Sequence, residues 1–446
     1  MVGRVHYRWV VLAVGTAAQA ATATYFLGLA AVTPALRDHF GLDLAGVGAL
    51  IGVISVGLVA TLIAWGAAAD RFGERGVMTI GLVGAAVLLG ATALVRDPLT
   101  AGALLLCAGA SGAGVNAASG RAVLTWFPAR NRGMAMAVRQ TSVPIGAALA
   151  AVALPAVAGV AGVPAVFAVL AGTSLAAAAA VAIWIREPPG TVRASGAPAR
   201  LGTVLRDRRL LRLSLAGLLL VVPQFLGSVF LVEILHTGAG VPLALAGGLL
   251  ALTQVLGALG RLGNGVWSDR ASSRLRPLRI VAVAIAAGFG LAAAVEPGPV
   301  PLLVTVLVLA GALAISWNGL VFTAAGELAP PGRAATAMAV SNTANYVAAA
   351  ATPLVGGLVA QSAGWPAMLA LGAVAASVAV LALRGLTEAA PDPGPHRAVA
   401  GCRAAGRADS RPTRHPPAAP CAVAPVMPRR TPAGSQGTVG TRTFMR

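Results

Sequence analysis

Two arginines stand inside long apolar runs, where a charge asks for a reason. Arg139 and Arg261 each lie about 10–12 Å from the nearer end of such a run at the helical rise of about 1.5 Å per residue. An arginine at the centre of a bilayer helix costs about 2.5–3.5 kcal/mol on insertion scales. A cation held there can bind an anion; the plainer alternative is a long side chain snorkelling to the nearby interface. No acid lies beside either arginine within the runs. Asp38, Asp43, Asp97 and Glu296 fall in turns at one end of the runs, Asp70, Asp269 and Glu327 at the other, and Glu233 near an end. Polar side chains at useful depth are Gln19, Tyr25, Asn116, Gln140, Gln224, Trp317, Asn318, Asn342, Asn345 and Tyr346. Asn116 and Asn318 are the best candidates for a cavity, and Trp317 for a wall of it. Buried amides also bond neighbouring helices without any ligand.

A second kind of chemistry sits where apolar runs stop. Gly66–Arg75 reads GAAADRFGER, a charged hairpin of the form G-x-x-x-D-R-x-G-x-R carried by Gly66, Asp70, Arg71, Gly73 and Arg75. A shorter copy, GVWSDR, carries Gly265, Asp269 and Arg270. A carboxylate there can accept N–H bonds at a facing helix N-terminus, where the helix dipole is positive. The bland reading is a solvated turn with local arginine pairing, worth about 0–1 kcal/mol. Catalysis finds little support. His6, His39, His236, His396 and His415 are scattered without metal spacing. The chain has no lysine for a Walker-type G-K-[ST], and Cys107, Cys402 and Cys421 form neither framework nor metal set. No catalytic residue, metal or cofactor is expected.

The elements that position these groups follow from composition. Of 446 residues 57% are apolar and 11% charged, with mean hydropathy +0.81, whereas soluble domains carry about 25% charged residues. This is an integral membrane protein with the lipid bilayer as a partner. The net charge of +19 does not imply nucleic acid, because the arginines sit in short loops and a tail between apolar spans. On a ruler of about 20 apolar residues per crossing the chain divides into about twelve helices. They lie near 9–33, 44–68, 76–95, 99–123, 132–158, 163–185, 210–235, 243–267, 278–296, 300–325, 334–360 and 365–384. The fold class is therefore all-α, with an N-terminal six-helix bundle (1–186), a linker (187–209) and a C-terminal six-helix bundle (210–385). A Pro-, Ala- and Arg-rich tail (386–446) is expected to be disordered. Deleting residues 391–446 is expected to leave activity intact, and complete loss would overturn that reading. Ala18-Gln19-Ala20 has the small-x-small form of a signal cleavage site, but the apolar run continues to about Ala35, so an uncleaved first span is expected.

Arginine placement gives orientation. Arg4, Arg8, Arg71, Arg75, Arg130, Arg132, Arg270 to Arg279 and Arg333 share one set of loops with the linker, and the alternate loops hold only Arg37 and Arg96. Both termini are thus expected in the cytoplasm, in a cell membrane. Trp9, Trp65, Trp126, Trp184 and Trp267 mark the same face as an interfacial belt.

The two halves look alike. Shifting AMAV at 135–138 onto AMAV at 337–340 also lays Pro128 on Pro330, Gln140 on Asn342, Thr141 on Thr343 and Asn116 on Asn318. A slightly smaller shift lays Gly66 on Gly265 and Asp70 on Asp269. Parallel repeats about an axis along the membrane normal fit a six-plus-six transporter.

GAAADRFGER after the second span resembles the loop motif of the major facilitator superfamily, and GVWSDR its degenerate second copy. WFPARNRGMAMAV and ELAPPGRAATAMAV resemble that family's connections into the fifth and eleventh spans. The resemblance covers residues 1 to about 385. It implies that the second and eleventh spans meet across the halves, so that Asp70 would hold the start of the eleventh span near Arg333–Ala335, and Asp269 that of the fifth near Arg132. It also implies that the fifth and eighth spans face each other, so that Arg139 and Arg261 would repel unless an anion lies between them. Arg261 precedes Gly265 by four residues, much as an arginine precedes this loop in monocarboxylate-transporting relatives. Those relatives carry an acid where Gly257 stands here. The G-P-x-x-G-G-like motif of drug exporters is replaced by VPIGAA (143–148), while a P-x-x-G-G occurs at Pro353–Gly357. The expectation is a monomeric secondary transporter working by alternating access on a small organic anion such as a carboxylate. A proton is a candidate coupling ion, and would have to use Glu233, His236 or the substrate itself. The alternatives are multidrug efflux of hydrophobic or cationic compounds and a non-transporting receptor of the same fold.

Overall fold

The computed structural model describes residues 2–186, 200–296 and 298–388; most of the expected linker and tail lies outside them. Ten helical stretches among these residues are long and apolar enough to cross a bilayer, and two of the ten are double. Ala129–Trp184 and Ala334–Leu383 contain 56 and 50 residues, whereas about 20 cover the hydrocarbon core. Each folds back at a glycine: Gly162 at φ 74°, ψ −179°, and Gly364 at φ 81°, ψ 174°. A side chain resists these positive φ values, and a proline two residues on (Pro164, Pro366) restarts each helix. The same shift that superposes the AMAV segments carries Gly162 onto Gly364 and Pro164 onto Pro366. The count is twelve crossings, and the described residues contain no strand.

In chain order the helices are α1 (Val2–Phe26), α2 (Thr33–Phe40), α3 (Leu44–Phe72), α4 (Glu74–Thr92), α5 (Pro98–Trp126), α6 (Ala129–Gln140) and α7 (Ser142–Trp184). After the short α8 (Leu201–Leu205) come α9 (Arg208–Glu233), α10 (Leu243–Arg270), α11 (Leu275–Val295), α12 (Val300–Ile315), α13 (Asn318–Leu328) and α14 (Ala334–Leu383). Within the first bundle α5 packs on α3 and α4, and α7 on α1 and α4; within the second α14 packs on α9 and α11, and α12 on α10 and α11. The bundles meet through α3 with α14 and through α6 with α10 and α13. Exposed Leu149, Val152, Val160, Val283, Leu302 and Val374 give the outside an apolar surface that suits lipid.

Three spans expected to be continuous are interrupted. The first stops at Phe26 and resumes through a 3-10 turn, Gly28–Val32, before α2. The fifth breaks at Thr141 and the tenth between Ile315 and Asn318, and both breaks matter below. Order also runs past 386. The Glu388 carboxylate accepts from Ser273 Oγ (2.9 Å) and the Leu275 amide (2.6 Å), capping α11, and Arg279 bonds the Leu383 carbonyl (3.1 Å). The expected tail therefore begins no earlier than residue 389.

The hairpin copies differ at one backbone position. Gly73 takes φ 88° between α3 and α4, and the residue in its place in the second hairpin, Ser272, takes φ 48°. A left-handed conformation costs a non-glycine residue about 1 kcal/mol. Ser272→Gly is expected to raise stability by about 0.5–1 kcal/mol, read as a higher unfolding temperature in detergent.

Candidate functional site

Two carboxylates clasp the bundles at the arginine-rich end. Asp70, at the end of α3, accepts from the amides of Ala335 (3.0 Å) and Thr336 (2.9 Å) and from the Thr336 hydroxyl (2.6 Å) at the start of α14. Its side chain is 0% exposed. Asp269, at the end of α10, accepts from the amides of Gly133 and Met134, both 2.9 Å, in the first turns of α6. Asp70 thus caps a helix of the opposite bundle, giving first-turn N–H groups the acceptor they lack within their own helix, while Asp269 accepts from the second turn of α6, which begins at Ala129. Close backbone approach makes this reach possible. A Cβ on Gly66 would stand 2.9 Å from the Ala335 carbonyl oxygen, and one on Gly265 2.7 Å from that of Gly133. Arg71, Arg75 and Arg270 are exposed and stay outside both clasps.

Arg139 and Arg261 lie deeper and are 4% and 7% exposed. Neither snorkels. Arg139 donates from Nε to Ser119 Oγ (2.9 Å), from Nη1 to Gln140 Oε1 (2.7 Å) and from Nη2 to the Asn116 carbonyl (2.8 Å). Arg261 donates from Nη1 to the Gln140 carbonyl (2.7 Å), and from Nη2 to the Ile315 carbonyl (2.8 Å) and Asn318 Oδ1 (3.3 Å). Its Nε–H is buried without an acceptor. Gln140 therefore serves both arginines, one through its side chain and the other through its backbone. Every partner is neutral, and among the described residues no acid pairs with either guanidinium.

The remaining expected residues divide. Asn116 accepts from Gln19 (3.1 Å), and both line a cavity of about 10 Å³ with Tyr25, Tyr346, Phe26 and Leu58, room for about one water. Tyr346 meets Phe26 edge to face across the bundles, with centroids 5.4 Å apart. Trp317, expected as a wall, is 0% exposed in the core of the second bundle with its indole N–H unpartnered. Asn342 is half-buried on α14 and takes no part in the network. Where the relatives named above carry an acid, a Cβ on Gly257 would stand 2.7 Å from Ile315 Cβ, so that space is already filled.

A family model for the major facilitator superfamily matches residues 13–353. The chain belongs to the major facilitator superfamily. An uncharacterized transporter of this superfamily type from Mycobacterium tuberculosis, Rv2994, is 36% identical over 365 residues, 82% of each chain. Among solved structures, the E. coli fucose:proton symporter FucP matches with TM-score 0.70 at 15% identity, covering 85% of this chain and 98% of that one. The human organic anion transporter MFSD10 matches with TM-score 0.67 at 20% identity, covering 84% and 99%. These two carry the fold alone.

Around this superfamily's loop motif the structure adds residues that sequence reasoning missed. Arg121 of α5 reaches Asp70 (3.5 Å) and Glu74 (2.8 Å). In the second clasp Arg274 pairs with Asp269 (2.6 Å) and Glu327 (3.3 Å), and Arg132 with Glu327 (3.6 Å). Arg274 also bonds the Ala129 carbonyl across the bundles. The sequence offered one signal for the second clasp, since Glu327 lies a few residues before the ELAPPGR connection's proline pair, but nothing marked which of many arginines would meet it.

Proposed function

We propose that this superfamily member moves a small organic anion, such as a carboxylate, by alternating access between its two bundles. One observation carries the reading: Arg139 and Arg261 are both buried, both joined to Gln140, and paired only with neutral groups. Uncompensated charge in a low-dielectric interior is expensive, and a cargo of opposite charge between the bundles offsets it. The arginine-rich loops support a cytoplasmic placement of this end of the molecule. With that placement both clasps are cytoplasmic, Asp70 and Asp269 act as latches, and the clasped state is shut toward the cytoplasm.

Efflux of hydrophobic or cationic compounds needs no such pair, and gives no reason for two arginines turned into the protein. Reconstituted protein offered a panel of labelled carboxylates, with and without a pH gradient, tests the reading. Arg261→Gln is expected to lower uptake of the accepted carboxylate at least tenfold with insertion preserved. Wild-type uptake by that variant would remove the anion site, and binding without flux would favour a receptor.

A further inference from the structure

The acceptor that Arg261 finds across the bundles exists because of a proline. In a continuous helix the Gln140 carbonyl would receive the N–H of the residue four places on. That residue is Pro144, which has no N–H, and α6 ends at Gln140. The bare carbonyl instead receives Arg261 Nη1 at 2.7 Å. The other arm of the same guanidinium is anchored at home. The break between α12 and α13 frees the Ile315 carbonyl, which takes Nη2 at 2.8 Å with Asn318 Oδ1 at 3.3 Å. Arg261 thus grips its own bundle with one nitrogen and the opposite bundle with another.

We propose that Arg261 is a bolt between the bundles, drawn by cargo. In the empty protein it fastens α10 to α6 just above the Asp269 clasp and favours the state shut at the arginine-rich end. An arriving anion is a stronger acceptor for a guanidinium than a carbonyl is, so it takes Nη1 away from Gln140 and unfastens the bundles at that level. Loading then shifts the population toward the state open at the arginine-rich end, as a ligand must when it binds that state more tightly. The drawing of the bolt rests on the anion reading; the bolt itself does not.

Pro144→Ala separates the two. It returns an N–H to the Gln140 carbonyl, which then competes with Arg261 for that acceptor, while leaving both arginines in place. Spin labels on the two bundles, at the arginine-rich end and at the opposite end, report the distance distributions in nanodiscs by pulsed dipolar spectroscopy. Without substrate, Pro144→Ala and Arg261→Gln are each expected to raise the population open at the arginine-rich end several-fold over wild type, with Arg261→Lys intermediate. Unchanged distributions in both Pro144→Ala and Arg261→Gln would overturn the bolt. Lactate, succinate and benzoate are then added in turn to the wild type. A several-fold shift toward the Pro144→Ala distribution with at least one of them is expected. No shift with a carboxylate that uptake has shown to be carried would overturn its drawing by cargo. If the empty-state shift is seen and no carboxylate is carried at all, the bolt stands and the anion reading falls.

Discussion

Arg139→Met is expected to reduce transport at least a hundredfold while leaving the protein as stable as the wild type, or more so. The two effects run in opposite directions because the guanidinium is buried among neutral groups. On insertion scales an arginine at mid-span is about 3 kcal/mol less favourable than an apolar side chain, and methionine fills a similar length without charge. Little is orphaned by the change. The Ser119 hydroxyl keeps its own bond to the Val115 carbonyl (2.6 Å) and the Asn116 carbonyl lies within α5, so Gln140 Oε1 is the acceptor left without a partner. Unfolding temperature in detergent and uptake into proteoliposomes measure the two quantities on one preparation. A loss of stability beyond about 2 kcal/mol, the scale of a broken buried hydrogen bond to a charged group, would make Arg139 a structural residue and withdraw it from the cargo site.

Gly265→Leu is expected to give a folded, membrane-inserted protein that scarcely turns over. The added Cβ alone would sit 2.7 Å from the Gly133 carbonyl oxygen and 2.9 Å from Ala137 Cβ. The obstacle is backbone and a short side chain, neither of which can swing away. Forcing bulk into packed protein costs about 1–3 kcal/mol, and here the cost falls only on the arrangement in which α6 and α10 touch. That arrangement becomes about 5–150 times rarer, and any cycle that passes through it slows in proportion. Gly263→Leu supplies the control: it lies on the same helix, where an added Cβ would have nothing within 4 Å, and near-normal turnover is expected. Uptake by Gly265→Leu equal to that of Gly263→Leu would show that transport does not need this contact.

How much of this was legible depends on the range of the interaction. The twelve crossings follow from apolar run length, and the fold-backs at Gly162 and Gly364 follow from a glycine placed two residues before a proline. The meeting of Asp70 with the start of α14 was implied by the resemblance of the hairpin to the superfamily's loop motif, a pattern that survives in a chain rich in alanine. Arg121 and Arg274 were not legible, because all basic residues here are arginine and no local spacing singles out the two that reach the acids of the clasps. Pro144 was available but unread: a proline four places after a polar residue in an apolar run predicts a bare carbonyl, and hence a place for a donor from elsewhere. The burial of Trp317 depends on how α12 and α13 break, and hydropathy carries no sign of that break.

The Asp70 clasp at the arginine-rich end is a helix cap supplied from the opposite bundle, and this makes the backbone itself a recorder. Whenever the bundles part there, the amides of Gly133, Met134, Ala335 and Thr336 lose their carboxylates, and Ala335 and Thr336 face water as uncapped first-turn donors. Hydrogen exchange at Ala335 and Thr336 would therefore count openings in the unlabelled protein.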